Sequence, residues 1–203
     1  SKPKYRIGRR LGAAVYEKTQ TQKFAVSEGK KGRKKGMSRP KALSDYGQQL
    51  LEKQKIRYSY GITAGQLTKY VNEATERKGA NTPALLYEKL ESRLDNVVYR
   101  VGLASTHRAA RQMVSHGHIT VNGKKIRVPS HIVSIGNIIG IREGSVGSKL
   151  FTNNEEKKEG SVKLPSWITE SEKQKTWKIT GAPRADEIPD AFNIPSVVEF
   201  YSR

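Results

Sequence analysis

Ten residues constrain this chain more tightly than any others: Ile119-Thr120-Val121-Asn122-Gly123-Lys124-Lys125-Ile126-Arg127-Val128. Asn-Gly supplies the two positive-φ positions of a type I′ turn, whose twist suits two antiparallel strands. A two-residue loop also fixes the register, so that Val121 faces Lys124 and Ile119 faces Ile126. Because side chains alternate along a strand, Ile119, Val121, Ile126 and Val128 are expected on one buried face. Thr120, Lys125 and Arg127 fall on the other. A short helix is expected just before the hairpin, capped by Ser105 or Thr106 and ended by Gly117 after His116. At about 100° per residue, Ala109, Ala110, Met113 and Val114 share one side of it and Arg108, Arg111, Gln112 and Ser115 the other. Helix and hairpin together offer a compact concave surface of cations. Ser130 to Ile141 repeats strand texture across Gly136-Asn137, enough to close a small sheet.

Charge says what such a surface is for. The chain of 203 residues carries 38 Lys+Arg against 19 Asp+Glu, a net charge of +19. Residues 1–60 hold net +13, residues 91–143 net +5, and residues 144–203 are neutral. A polyanion binding to so concentrated a field releases counterions, which gives strong, salt-sensitive association with nucleic acid. Cysteine is absent, which excludes disulfide scaffolds, thiolate zinc sites, iron–sulfur clusters and a Cys nucleophile. With no run of about 18 apolar residues and no apolar core near the amino terminus, neither a membrane span nor a secretory signal is expected.

The rest of the chain divides by texture. Residues 1–42 read as an extended basic arm, in which Lys30, Lys31, Arg33, Lys34 and Lys35 lie among glycines with little to bury. Tyr5, Ile7, Leu11, Val15, Tyr16, Phe24 and Val26 are its few apolar anchors. A helix is expected from Ser44 or Asp45 to Gly61, with Leu50 and Leu51 at helical spacing and Lys53, Lys55, Arg57, Tyr58 and Tyr60 toward its end. Cations interleaved with rings suit unpaired bases, and a tyrosine packed in the core fits the same pattern. A second helix begins at Thr63, with Gln66, Leu67, Tyr70, Val71 and Ala74. A third opens at Thr82-Pro83 and carries Leu86, Leu90, Leu94, Val97 and Val101, at spacings of 4, 4, 3 and 4, as one stripe.

These segments resemble a known family. Arg93-Leu94-Asp95-Asn96-Val97-Val98-Tyr99-Arg100, Ala109 to Val114, His116-Gly117-His118-Ile119, Val121-Asn122-Gly123, Pro129-Ser130 and Gly136 to Ile139 are similar to the S-four RNA-binding domain. Leu43 to Lys55 and the closing Val197 to Arg203 resemble its ribosomal branch, of bacterial or organellar type. The resemblance implies an α+β chain: a mostly helical domain, a small S-four domain with helices packed on a short antiparallel sheet, and an extended basic N-terminal arm. The expected boundaries are 1–42 for the arm, 91–143 for the S-four domain, and 43–90, with 144–203 packing back, for the helical domain. It further implies early binding to small-subunit ribosomal RNA at a multi-helix junction, nucleation of assembly, and an influence on decoding accuracy near the messenger-RNA entry path. The implied partners are that RNA and neighbouring small-subunit proteins, one of S-five type, in cytoplasmic or organellar ribosomes. Many relatives carry a Pro-Gly-x-His-Gly turn or zinc-binding cysteines where this chain has residues 27–41, so arm contacts do not carry over.

Enzymatic readings find no support in the residues. Arg93-Leu94-Asp95 resembles the catalytic triplet of pseudouridine synthases, which also carry S-four domains. Only 60 residues follow position 143, however, where a catalytic domain needs about 100 or more. His107, His116, His118 and His131 lack metal-ligand spacing, and no phosphate-loop motif occurs. No catalytic residue, metal, cofactor or small-molecule substrate is therefore expected. A sequence-specific DNA regulator would want a recognition helix without the appended hairpin. The RNA-binding set expected from charge, position and resemblance comprises the five arm cations, Lys53, Lys55, Arg57, Tyr60, Arg93, Ser105, Arg108, Arg111, His118, Asn122, Gly123, Lys124, Lys125 and Arg127.

Overall fold

The computed structural model describes residues 3–12, 15–32, 43–77, 81–148, 151, 164–171, 175–187 and 191–202. The chain divides into two compact units, residues 1–83 with 189–203, and residues 84–188.

The first unit is helical. Helices α1 (Lys4–Leu11), α2 (Gln22–Gly32), α3 (Asp45–Ser59) and α4 (Ala64–Thr75) build it, with a 3-10 turn at Glu17–Thr19. Polar caps set the starts of α3 and α4. Ser44 Oγ accepts from the Gly47 amide at 3.3 Å, and Thr63 and Gln66 close a reciprocal capping box, each satisfying amides that a helix start leaves open. Gly61, at φ 61°, turns the chain out of α3. Expectation and structure differ at Lys4–Leu11 and Gln22–Gly32, which form helices rather than an extended arm. Leu11, Val15 and Phe24 are buried, and Tyr16 meets Tyr58 of α3 edge-on at 6.5 Å. Apolar anchors that look sparse along the sequence converge once two helices bracket the 3-10 turn. A Cβ on Gly8 would strike the Thr19 side chain, so glycine permits that close approach. Along α3 the fully buried positions are Gln49 and Ile56, while Leu50 and Leu51 are only half-buried.

The second unit holds the sheet. Strands β1 (Ile119–Val121), β2 (Lys124–Lys125), β3 (Ile138–Ile141), β4 (Ile168–Ser171) and β5 (Thr176–Ile179) form one sheet in the order β2-β1-β3-β5-β4. Every pairing is antiparallel, and Ile139 of β3 lies opposite Trp177 of β5. Here the structure redraws the domain boundaries. Residues 164–187 belong to the sheet unit and not to the helical one, because Trp167, Ile168, Trp177 and Ile179 bury themselves in the same core as Val97, Val114 and Ile119. Of the carboxyl-terminal segment, residues 191–202 fall in the first unit. There α8 (Ile194–Tyr201) packs on α3, with the Phe200 and Tyr46 rings 5.5 Å apart.

The expected third helix is two. α5 (Thr82–Glu91) ends before Ser92, and α6 (Leu94–Arg100) starts after Arg93, whose extended backbone bridges to Ile132. The first amides of α6 are satisfied by the neighbouring loop: Leu94 N donates to His131 O at 2.8 Å and Asp95 N to Pro129 O at 3.1 Å. Leu86, Leu90, Leu94, Val97 and Val101 are all buried. The stripe is real, and its spacing carries no mark of the break.

Candidate nucleic-acid interface

Helix α7 (His107–Ser115) and the hairpin behind it form the expected basic surface. Thr106 rather than Ser105 caps the helix, its Oγ1 accepting from Ala109 N at 3.1 Å; Ser105 is exposed just ahead of it. Ala110, Met113 and Val114 are buried in the core they share with α6 and the sheet, which turns Arg108 to solvent and leaves Arg111 partly exposed. Arg111 Nη1 stands 3.7 Å from Asp95 Oδ2.

In the hairpin, Asn122 and Gly123 have φ of 50° and 76°, and Val121 pairs with Lys124. Ile119 and Val121 are buried, while Lys124, Lys125 and Arg127 are exposed. Val128 departs from expectation at 56% exposed. β2 ends at Lys125, and Val128 O accepts from His131 N in a turn, so the alternation of faces has stopped before it. Asn122 is also more structural than expected: its Oδ1 accepts from Ile138 N at 2.8 Å and ties the turn to β3.

The cations gather where α7 ends. Gly117, at φ 73°, reverses the chain, and the stems of Lys125 and Arg127 lie directly over it. Arg127, then partial desolvation, then Arg142 push the Lys125 ammonium below its ordinary value. Burial first, followed by His116, Arg142 and Lys125, lowers the His118 imidazole. Cations crowded closely enough to lower the Lys125 and His118 pKa values are poised for an anion. Arg142 and Ser145 were not in the expected set. Arg142 directly follows β3 and Ser145 ends the 3-10 turn after it, and the β1–β3 pairing brings them to His118.

Several other candidates have different work. Arg93 is fully buried and donates to Asp95, so it has no surface to offer an RNA. Tyr60 is buried with its ring 6.2 Å from Phe192; it is a core residue, not a stacking platform. Lys53 Nζ stands 4.2 Å from the Phe200 ring centroid and 4.9 Å from that of Tyr201, so it helps to seat α8. Lys55 pairs with Glu52 at 2.6 Å, and Arg57 lies over the Tyr58 ring at 4.9 Å. Both belong to the first unit. Lys30 and Lys31 lie in the last turn of α2, whereas Arg33, Lys34 and Lys35 fall outside the described residues. Among the described residues, no group of three or more His, Asp or Glu is placed to hold a metal ion, and no helix is long and apolar enough to cross a membrane.

Two family matches tile most of the chain. Residues 92–139 match the S4 domain, and residues 1–91 match the ribosomal protein S4/S9 N-terminal domain. Similar proteins include the small ribosomal subunit protein uS4 of Akkermansia muciniphila, 40% identical over 202 residues, covering 99% of this chain and 97% of that one. That of Persephonella marina is 42% identical over 202 residues, covering 98% and 97%. That of Acetivibrio thermocellus is 40% identical over 206 residues, covering 98% and 96%.

Proposed function

Since the chain belongs to the family of small ribosomal subunit protein uS4, a structural and non-enzymatic component of the ribosome, we propose that it binds small-subunit ribosomal RNA through the α7–hairpin surface. The observation that supports this most directly is the convergence of Lys125, Arg127, Arg142, His116 and His118 around the end of α7. Such a surface holds phosphates of a folded RNA and reads its shape rather than its sequence. In this reading the chain binds early, nucleates assembly of the subunit, and contributes to decoding accuracy in cytoplasmic ribosomes. Its partners are the RNA and neighbouring small-subunit proteins, including one of S-five type. Ile132, Ile135 and Ile138, left 44%, 64% and 45% exposed on the second unit, support a protein neighbour, since burying them would remove apolar surface from water.

Sedimentation of a cell lysate on a sucrose gradient tests the proposal. The protein should travel with small subunits and, once purified, bind small-subunit ribosomal RNA in a filter assay. Recovery only at the top of the gradient would instead mark a free RNA-binding regulator.

A further inference from the structure

His118 sits where three segments meet. Behind it, α7 ends: Gly117 N donates to Val114 O and His118 N to Met113 O, which holds the His116 ring 6.0 Å from its own. From β2 come Lys125 and, beyond it, Arg127. From the end of β3, Arg142 N donates to His118 O at 2.9 Å. The Phe151 and His118 rings meet edge-on, at 6.3 Å between centroids. Among the described residues, the charged groups that act on the imidazole are His116, Arg142 and Lys125, none of them a carboxylate. Glu143, beside Arg142, is exposed.

The ring is held in one orientation. Its Nδ1 lies 3.0 Å from Ser145 Oγ, and Ser145 is 3% exposed. Arg142 Nε donates to that same oxygen at 3.4 Å. A guanidinium can only donate, so Ser145 Oγ accepts from Arg142 and keeps its own hydrogen, which is left to be donated to Nδ1. The neutral imidazole then carries its hydrogen on Nε2. When the ring gains a second proton, Nδ1–H donates to Ser145 Oγ, whose two lone pairs accept both Arg142 and His118.

We propose that Arg142 and Ser145 position His118 as an Nε2–H donor to an RNA phosphate, and that the phosphate draws a solvent proton onto Nδ1, so RNA binding by this chain takes up a proton. The proposal rests on the RNA-binding reading above. Its sign follows from linkage: partial desolvation and the surrounding cations lower the pKa of the free ring, whereas a bound phosphate favours the imidazolium. Between the two states' pKa values the complex holds more protons, and affinity rises as pH falls, by at most about tenfold per unit for one proton.

Two measurements on the full chain test this. In the free protein at pH 7.5, imidazole nitrogen NMR should show His118 as the Nε2–H tautomer, and Ser145→Ala should give a mixture. An Nδ1–H tautomer in the unaltered protein overturns the assignment without any variant having to fold. Titrations with small-subunit ribosomal RNA at fixed salt should show binding about threefold or more tighter at pH 6.0 than at pH 7.5, a gain that His118→Gln abolishes. Equal affinity at both pH values, a gain that survives in His118→Gln, or one lost instead in His116→Gln overturns the inference and leaves RNA binding standing. A chain that binds this RNA at neither pH overturns the RNA reading itself.

Discussion

The Arg93 guanidinium grips the Asp95 carboxylate with two hydrogen bonds, Nε to Oδ1 at 3.0 Å and Nη2 to Oδ2 at 2.6 Å, and both side chains are buried. The pair sits at the break between α5 and α6, where the Arg93 backbone bridges to Ile132. Removing one charge of a buried pair costs about 3–5 kcal/mol, because the partner stays buried without its counter-charge. Asp95→Ala should therefore lower stability by that order in chemical denaturation. The double variant Arg93→Met, Asp95→Leu should lie closer to the unaltered protein than either single change. A loss below about 1 kcal/mol for Asp95→Ala would show that the pair does not hold the break.

Gly117 has two reasons to be glycine. Its φ of 73° costs an L-residue roughly 1–2 kcal/mol, and a Cβ there would collide with the Lys125 stem. Gly117→Ala should lower the denaturation midpoint and, by displacing Lys125, weaken RNA binding. Unchanged values for both would contradict the packing of Lys125 over the α7 terminus.

Exposed and engaged cations should separate in a salt titration. Changing Arg108, Lys124, Lys125 or Arg127 singly to Gln should reduce the slope of log affinity against log salt by about one per lost phosphate contact. Lys55→Gln should move it far less, because Lys55 is committed to Glu52. Equal slopes across the hairpin variants and the unaltered protein would make those residues solvated surface charges.

Tyr87 gives the fold an alkaline limit. Its hydroxyl donates to Glu187 O at 3.0 Å, and burial, then Glu91, raise its pKa. The folded state holds this proton more tightly than the unfolded one. The resulting stability is fully present below the unfolded tyrosine pKa of about 10 and is lost as pH climbs above it. Melting temperatures between pH 8 and 11 should fall less steeply for Tyr87→Phe than for the unaltered protein, from a starting stability about 1 kcal/mol lower. Parallel pH profiles would show that Tyr87 ionises equally in both states.

What the residues determine alone is what closes within a few positions. Asn122-Gly123 dictates its own turn and register, Thr63 and Gln66 their own capping box, and Ala110, Met113 and Val114 the inward face of α7, because each rests on contacts between near neighbours in sequence. The amphipathic stripe from Leu86 to Val101 is equally legible as a buried face. Its interruption at Arg93 is not, since the groups that stabilise the break, Pro129 O, His131 O and Ile132, lie over thirty residues away. The same holds for β5, whose Trp177 joins the core only when β3 offers that strand an edge. It holds for Leu11, Val15 and Phe24, which become a core only when helices bring them together. Of the basic residues, sequence determines the sign and the region. Tertiary structure decides the assignment: Arg93 turns inward because Asp95 is buried beside it, Lys53 is drawn to the α8 rings, and Arg142 reaches His118 through strand pairing. Charge is a property of the side chain, but its availability to a phosphate depends on which neighbours the fold has already given it.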